Sequence, residues 1–145
     1  MSTPDDIFRA MHDNDPFSRW MGMELVEIGP GHCTLRMRVR PEMTNGFGVA
    51  HGGIAFSLAD SAFAFACNSR GRHALSIHCT IEHTVPVHSG DTLIAEAREE
   101  HLSNSLSNYA VHIRNQDDLP VAFFRGVAFR KKTEWLPPNA DKDAR

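Results

Sequence analysis

At 145 residues, with 41% hydrophobic and 23% charged side chains, the chain has the size and mix of one globular domain around one core. A formal net charge of -3 supplies no basic field, so no nucleic-acid partner is expected. No uncharged apolar run approaches the roughly 18 residues of a membrane span, and the opening Met-Ser-Thr-Pro-Asp-Asp lacks a basic and apolar leader. A cytoplasmic protein without a membrane partner is the expectation.

Ile7, Phe8 and Met11 recur at helical spacing and predict a helix over about 4–13. Pro4 suits its first turn, with Ser2 or Thr3 as the cap. Asp15-Pro16 ends it, and Phe17, Trp20 and Met21 predict a short second turn before Gly22. A strand over 23–28 follows, turning at Gly29-Pro30-Gly31. Cys33, Leu35, Met37 and Val39 then alternate with Thr34, Arg36, Arg38 and Arg40, which predicts a half-buried strand with one wet, basic face, closed by Pro41. That basic face reads as solvated, with some pull on phosphates.

A glycine-rich turn, Asn45 to Gly53, runs into a helix over about 52–69 that is apolar on almost every face. Such a helix must be buried. Gly71 is its left-handed stop, and Arg70 and Arg72 complement the negative end of its dipole. Four more strands are predicted. Leu75, Ile77, Cys79, Ile81 and Val85 alternate over 74–85 until Pro86. Ser89-Gly90-Asp91 turns into 92–100; Tyr109, Val111 and Ile113 share a face of 107–114; Asp117 and Asp118 turn into 120–130. Residues 133–145 read as a polar tail outside a domain of residues 1–132.

One apolar helix among six antiparallel strands is buried only if the sheet curls around it, which gives an α+β domain. Cys33, Cys67 and Cys79 sit in apolar patterns without a Cys-x-x-Cys pair and read as small hydrophobes. The Phe56, Phe63 and Phe65 cluster reads as helix core. His78, His83 and His88 are five apart, so on a strand His83 faces away from the other two, and no metal site is expected.

The exception in the buried helix is Asp60, a carboxylate amid Phe56-Ser57-Leu58-Ala59 and Ser61-Ala62-Phe63. An unpaired buried carboxylate is costly, so its presence points to chemistry. Burial raises its pKa, whereas nearby N–H groups lower it; the sequence leaves both open. With Asn45-Gly46, His51-Gly52-Gly53 and the run Phe56 to Ser69, this arrangement resembles the hotdog-fold acyl-CoA thioesterases, in the branch typified by the phenylacetic-acid-degradation thioesterase, over residues 5–131. The resemblance implies a curled antiparallel sheet of about six strands around one central helix. It implies hydrolysis of an acyl-CoA, with aryl-acetyl or hydroxyphenylacetyl groups favoured, by a homodimer or a tetramer of two dimers. Coenzyme A is then part of substrate and product, and no cofactor is needed.

In that family the Gly52 N–H polarises the thioester carbonyl, His51 and Asn45 shape the turn, Asp60 activates water or attacks directly, and Ser76 orients the water. Gly53 lies beside the carbonyl. Coenzyme A contacts match more loosely to Asn104, Ser105, Arg125, Arg130 and Lys131. Two positions depart from the pattern: Val85 stands where a basic residue often precedes the proline, and Ser103-Asn104-Ser105 lacks a glycine and a base. An acyl-thioester dehydratase and a non-catalytic acyl-CoA-binding module are the alternatives, the former wanting a histidine partner and the latter no intact Asp60.

Spacing adds a geometric requirement. Gly52 and Asp60 are eight residues apart, roughly 12 Å along one helix. Groups acting on one carbonyl carbon must lie within about 3–3.5 Å of it. One helix cannot supply both, whereas two antiparallel helices about a two-fold axis can.

Overall fold

The computed structural model describes residues 3–135. The Thr3 hydroxyl accepts the Asp6 N–H at 3.2 Å while the Asp6 carboxylate accepts the Thr3 N–H at 3.0 Å, a capping box that starts α1 (Pro4–His12). Asp15 caps α2 (Pro16–Met21), and Gly22 ends it at a left-handed φ of 75°. Ser18 of α2 is buried, hydrogen-bonded to Asp15 Oδ2 at 2.6 Å and 3.2 Å from the Ser61 hydroxyl. That contact pins α2 to the central helix α3 (Gly52–Asn68).

Six strands follow the expected order: β1 (Glu24–Gly29), β2 (His32–Arg38), β3 (Arg72–His83), β4 (Thr92–Leu102), β5 (Leu106–Arg114) and β6 (Pro120–Glu134). They form one antiparallel sheet, β1-β2-β4-β5-β6-β3, with β1 and β3 at its edges. Alternation holds on the inner face, where Cys33, Leu35 and Met37 of β2, Leu93, Ala95 and Ala97 of β4, and Tyr109, Val111 and Ile113 of β5 are buried. The sheet wraps α3, whose Leu58, Ala59, Ala62, Phe63, Phe65 and Ala66 are buried. Small residues on β6 allow the close approach: a Cβ on Gly126 would stand 2.8 Å from the Phe63 ring. Burial pushes the Cys33 and Cys67 thiols up to about 12, so both behave as inert core atoms. Among the described residues no helix is long and apolar enough to cross a membrane.

Three expectations are corrected. The alternation of Leu75, Ile77, Cys79 and Ile81 implied one shared face. A register shift between Ser76 and His78 divides it, so Cys79 and Ile81 pair beside inner-face Gly126 and Phe124 while Leu75 and Ile77 are more than half exposed. Second, β6 continues to Glu134, which pairs with Arg72, and the Trp135 ring packs 4.2 Å from His73. Residues 133 and 134 thus belong to the sheet, and the tail expected beyond them lies outside the described residues. Third, the basic pair after α3 serves the sheet. Arg70 binds Glu99 at 2.8 Å, and the Arg72 guanidinium donates to the carbonyls of Lys131, Arg130 and Asn104. The helix end is held instead by Asn68, whose amide donates to Ala64 and Ala74 carbonyls and accepts from the Ala74 N–H and the Trp135 indole.

Candidate active site

The start of α3 is built by the turn before it. Asn45 Oδ1 accepts the Phe47 N–H at 2.9 Å, folding residues 45–48 into a tight loop whose ends pair at Thr44 and Ala50. The Ala50 N–H donates to Val87 O at 2.7 Å and the His51 N–H to Met43 O at 2.8 Å, which fixes the loop against two neighbouring segments. His51 then caps the helix: its Nδ1 accepts the Gly53 N–H at 2.9 Å. An accepting Nδ1 leaves the ring proton of the neutral imidazole on Nε2.

The two glycines are thereby distinguished. The Gly53 N–H is taken by His51, whereas the Gly52 N–H meets no acceptor among the described residues. Gly52 presents an unused donor at the positive end of a 17-residue helix, the geometry that holds developing negative charge. Asn45 and His51 each hold this turn through one side-chain hydrogen bond.

Asp60 lies two turns further on and is partly buried, with no hydrogen bond to its carboxylate among the described residues. Burial raises its pKa above the ordinary aspartate value, so desolvation wins over any stabilising donor. Burial raises the Cys79 thiol, and the Asp60 charge adds to that rise, which places the two in each other's field. Ser76 joins this group: its hydroxyl is 3.0 Å from Cys79 Sγ, on the helix-facing side of β3. Asp60 and Ser76 therefore share one neighbourhood, and Gly52, His51 and Asn45 share another.

His83 is a site residue that the sequence did not single out. It ends β3 on the helix-facing side, and a Cβ on Gly52 would stand 3.4 Å from its Nε2. A helical Cβ tilts toward the helix N-terminus, the direction in which the free N–H also points. The imidazole thus sits at the mouth of α3. A cavity of about 280 Å³ opens there, between His51 and Gly52 on one side and residues 83–87 on the other. Across the turn, a second cavity of about 350 Å³ lies between α2 and α3 and shares His51.

The candidate coenzyme contacts divide. Asn104, Ser105, Arg130 and Lys131 meet at the C-terminal end of α3, where Arg72 reaches Asn104 O at 2.9 Å and the Arg130 N–H donates to Ser105 O at 2.7 Å. The Arg130 guanidinium is already committed to Ser103 O at 2.6 Å. Arg125 stands apart on the outer sheet face, paired with Glu100. No cluster of three or more His, Cys, Asp or Glu placed to hold a metal ion occurs among the described residues.

The family model described as Thioesterase superfamily matches residues 47–122, which run from within the loop through α3, β3, β4 and β5 to the start of β6. The chain belongs to the thioesterase superfamily. Its hotdog fold is the one that the motif implied. Among thioesterase relatives, the acyl-coenzyme A thioesterase PaaI of Escherichia coli (strain K12) is 40% identical over 121 residues, covering 83% of this chain and 86% of that protein. The structure of the E. coli PaaI protein from the phenylacetic acid degradation operon superposes with a TM-score of 0.88 at 37% identity, covering 90% of this chain and 95% of that one. A protein from Streptococcus mutans UA159, solved bound to acetyl CoA, gives a TM-score of 0.75 at 26% identity over 77% of this chain and 90% of its own.

Proposed function

We propose that this thioesterase-superfamily chain hydrolyses acyl-CoA thioesters to the free acid and coenzyme A, with aryl-acetyl groups such as phenylacetyl or hydroxyphenylacetyl favoured. The observation that carries the reading is the single unused N–H of Gly52, left free because His51 takes its neighbour's. A donor of this kind is typically worth about 10²–10³ in rate. The aryl-acetyl preference is supported by likeness to a protein of the phenylacetic acid degradation operon. No metal or redox cofactor is required, since coenzyme A enters with the substrate and leaves as product.

In this reading the thioester carbonyl oxygen accepts from the Gly52 N–H. Asp60, kept basic by partial desolvation, takes a proton from water as the water oxygen adds to the carbonyl carbon. Collapse of the tetrahedral intermediate breaks the carbon–sulfur bond, and the coenzyme A thiolate leaves and is protonated. Ser76, in contact with the Cys79 thiol that feels the Asp60 charge, orients the water. Direct attack by the carboxylate through an anhydride uses the same groups; single turnover in ¹⁸O-labelled water separates the two, since only the anhydride route leaves label in Asp60.

Both groups serve one carbonyl only if Gly52 comes from one protomer and Asp60 from the partner. The dimer follows from the roughly 12 Å between them on one helix, and the unpaired edge of β3 beside the Asp60 cluster supports it. A tetramer of two such dimers is the proposed assembly.

Thiol release from phenylacetyl-, hydroxyphenylacetyl- and straight-chain acyl-CoA tests the activity, wild type against Asp60→Asn. A loss of orders of magnitude in the variant is the expected result; binding without turnover by the wild type would instead mark a binding module. Co-expression of Asp60→Asn with Gly52→Val subunits is expected to restore about one site per mixed dimer. Absence of any rescue would overturn the shared site.

A further inference from the structure

A thioester held on the Gly52 N–H has two arms, and two cavities leave the His51–Gly53 turn in different directions. Their linings differ in aromatic content. The cavity toward β3 is mostly aliphatic, with Val49, Ala50, Val85 and Val87 beside His83 and Thr84, and presents no phenyl or indole ring. The cavity toward α2 is walled by Phe17, Trp20, Met21, Met43 and Ile54, with Gly53 at its inner end. We infer that the acyl arm lies in this second cavity, against the rings of Phe17 and Trp20, and that these two side chains set the preference for acyl groups with aromatic or comparable apolar bulk. This rests on the acyl-CoA hydrolase reading and goes beyond it in naming the subsite.

The two rings carry the inference. Phe17 is 50% exposed and Trp20 58% exposed, while Met21 next to Trp20 is fully buried. Large apolar side chains left open beside a cavity are the usual form of a ligand wall. Their ring centroids are 6.3 Å apart and tilted by 32°, so the two half-exposed rings form a ledge rather than a closed stack. A volume of about 350 Å³ falls at the small end of ligand sites, which suits one acyl group rather than a whole cofactor.

The wall is also built in advance. The Arg40 guanidinium lies 5.2 Å from the Trp20 ring centre, donates to Trp20 O at 2.8 Å and Met21 O at 3.2 Å, and binds Glu42 at 2.7 Å. Ser18, one residue from Phe17, is locked against Asp15 and Ser61. An anchored aromatic ledge loses little freedom when a ligand settles on it. Ser57 and Thr44 bring hydroxyls to its lining, beside Glu42 and His51, and can meet a ring substituent such as a hydroxyl.

The test compares phenylacetyl-CoA with acetyl-CoA for wild type, Trp20→Ala and Phe17→Ala, with melting temperature as the control for folding and Trp20→Leu as the variant that keeps bulk. The ratio of kcat/KM for phenylacetyl-CoA over acetyl-CoA is expected to fall about 10- to 100-fold in the alanine variants, the size of change that loss of apolar pocket contacts produces. Trp20→Leu is expected to fall between. A second readout uses binding alone. The chain has two tryptophans, so Asp60→Asn/Trp135→Phe leaves Trp20 as the only emitter. Its fluorescence is expected to change with phenylacetyl-CoA and not with coenzyme A. An unchanged substrate ratio in folded variants that still hydrolyse both thioesters, with silent fluorescence, overturns the subsite and leaves the hydrolase standing. Fluorescence that responds in a protein whose wild type hydrolyses neither thioester supports the subsite and overturns the hydrolase.

Discussion

At the scale of single residues, the site carries a cost to stability that a measurement can expose. Burial raises the Asp60 pKa above its unfolded value, so in the window between the two the folded state binds more protons than the unfolded one. Stability then falls as pH rises through that window, and ionised Asp60 is a net cost at neutral pH. Asp60→Asn is therefore expected to melt at a higher temperature than wild type at pH 7 while losing activity. The gap should close as the pH is lowered through the ordinary aspartate range, where the wild-type carboxyl is itself neutral. A variant that melts lower at pH 7 would show that the carboxylate is held by partners instead.

Gly52 makes the complementary case. Its φ is not in the left-handed region, and an added methyl would stand 3.4 Å from His83, so alanine fits the helix with a small shift of that ring. Gly52→Ala is expected to keep the folding stability or raise it by up to about 1 kcal/mol, read as an unchanged or higher melting temperature. Its kcat is expected to drop at least about tenfold, because the methyl occupies the approach to the free Gly52 N–H. Equal loss of stability and activity would point to a structural glycine.

At the scale of elements, the approach of α3 to the sheet is set where β6 has no side chain. A Cβ on Gly126 would stand 2.8–3.0 Å from three atoms of the Phe63 ring, which also packs against Tyr109 and Phe124. Gly126→Ala is expected to destabilise by about 1–3 kcal/mol, with partial recovery when Phe63→Leu is added. Urea denaturation of the four proteins in this cycle checks the coupling; simple additivity would mean that the ring moves aside freely. The elements themselves were largely legible. Apolar periodicity located α3 and the strict alternation of 33–39 located β2, because both signals come from burial. Legibility failed where burial pattern and pairing part. Residues 131–134 carry Lys131, Lys132, Thr133 and Glu134, a polar run that no alternation marks as strand, yet β3 pairs with it as far as Glu134.

The bulge after Ser76 had a larger effect on the site. Ser76 and His83 are seven apart, so strict alternation puts them on opposite faces of a strand. The register shift turns both toward α3. The sequence therefore marked Ser76 through family likeness and had no means to bring His83 to Gly52, since that neighbour is set by one unpaired residue and by the packing of β3 on β6. Phe17 and Trp20 were read as a short apolar turn; only the anchoring of α2 by Ser18 and Arg40 shows their rings open to a cavity.

At the scale of the whole molecule, β3 decides how the chain behaves outside the proposed dimer. Twelve residues long and at the sheet's edge, it exposes Leu75 and Ile77, and residues 73–81 hold no lysine, arginine, aspartate, glutamate or proline. Those are the residues by which lone edge strands discourage unwanted pairing. An edge without such guards is tolerable only while it is covered. Dilution is thus expected to end in turbidity rather than in a soluble population of inactive single chains: activity and light scattering, followed together through a dilution series, should change at the same concentration. Ile77→Lys should separate them, suppressing the scattering. The strand that, in the proposed dimer, lies beside the shared site would be, in a solitary chain, a template for aggregation, and the cell's concentration of this protein would then set its lifespan as well as its rate.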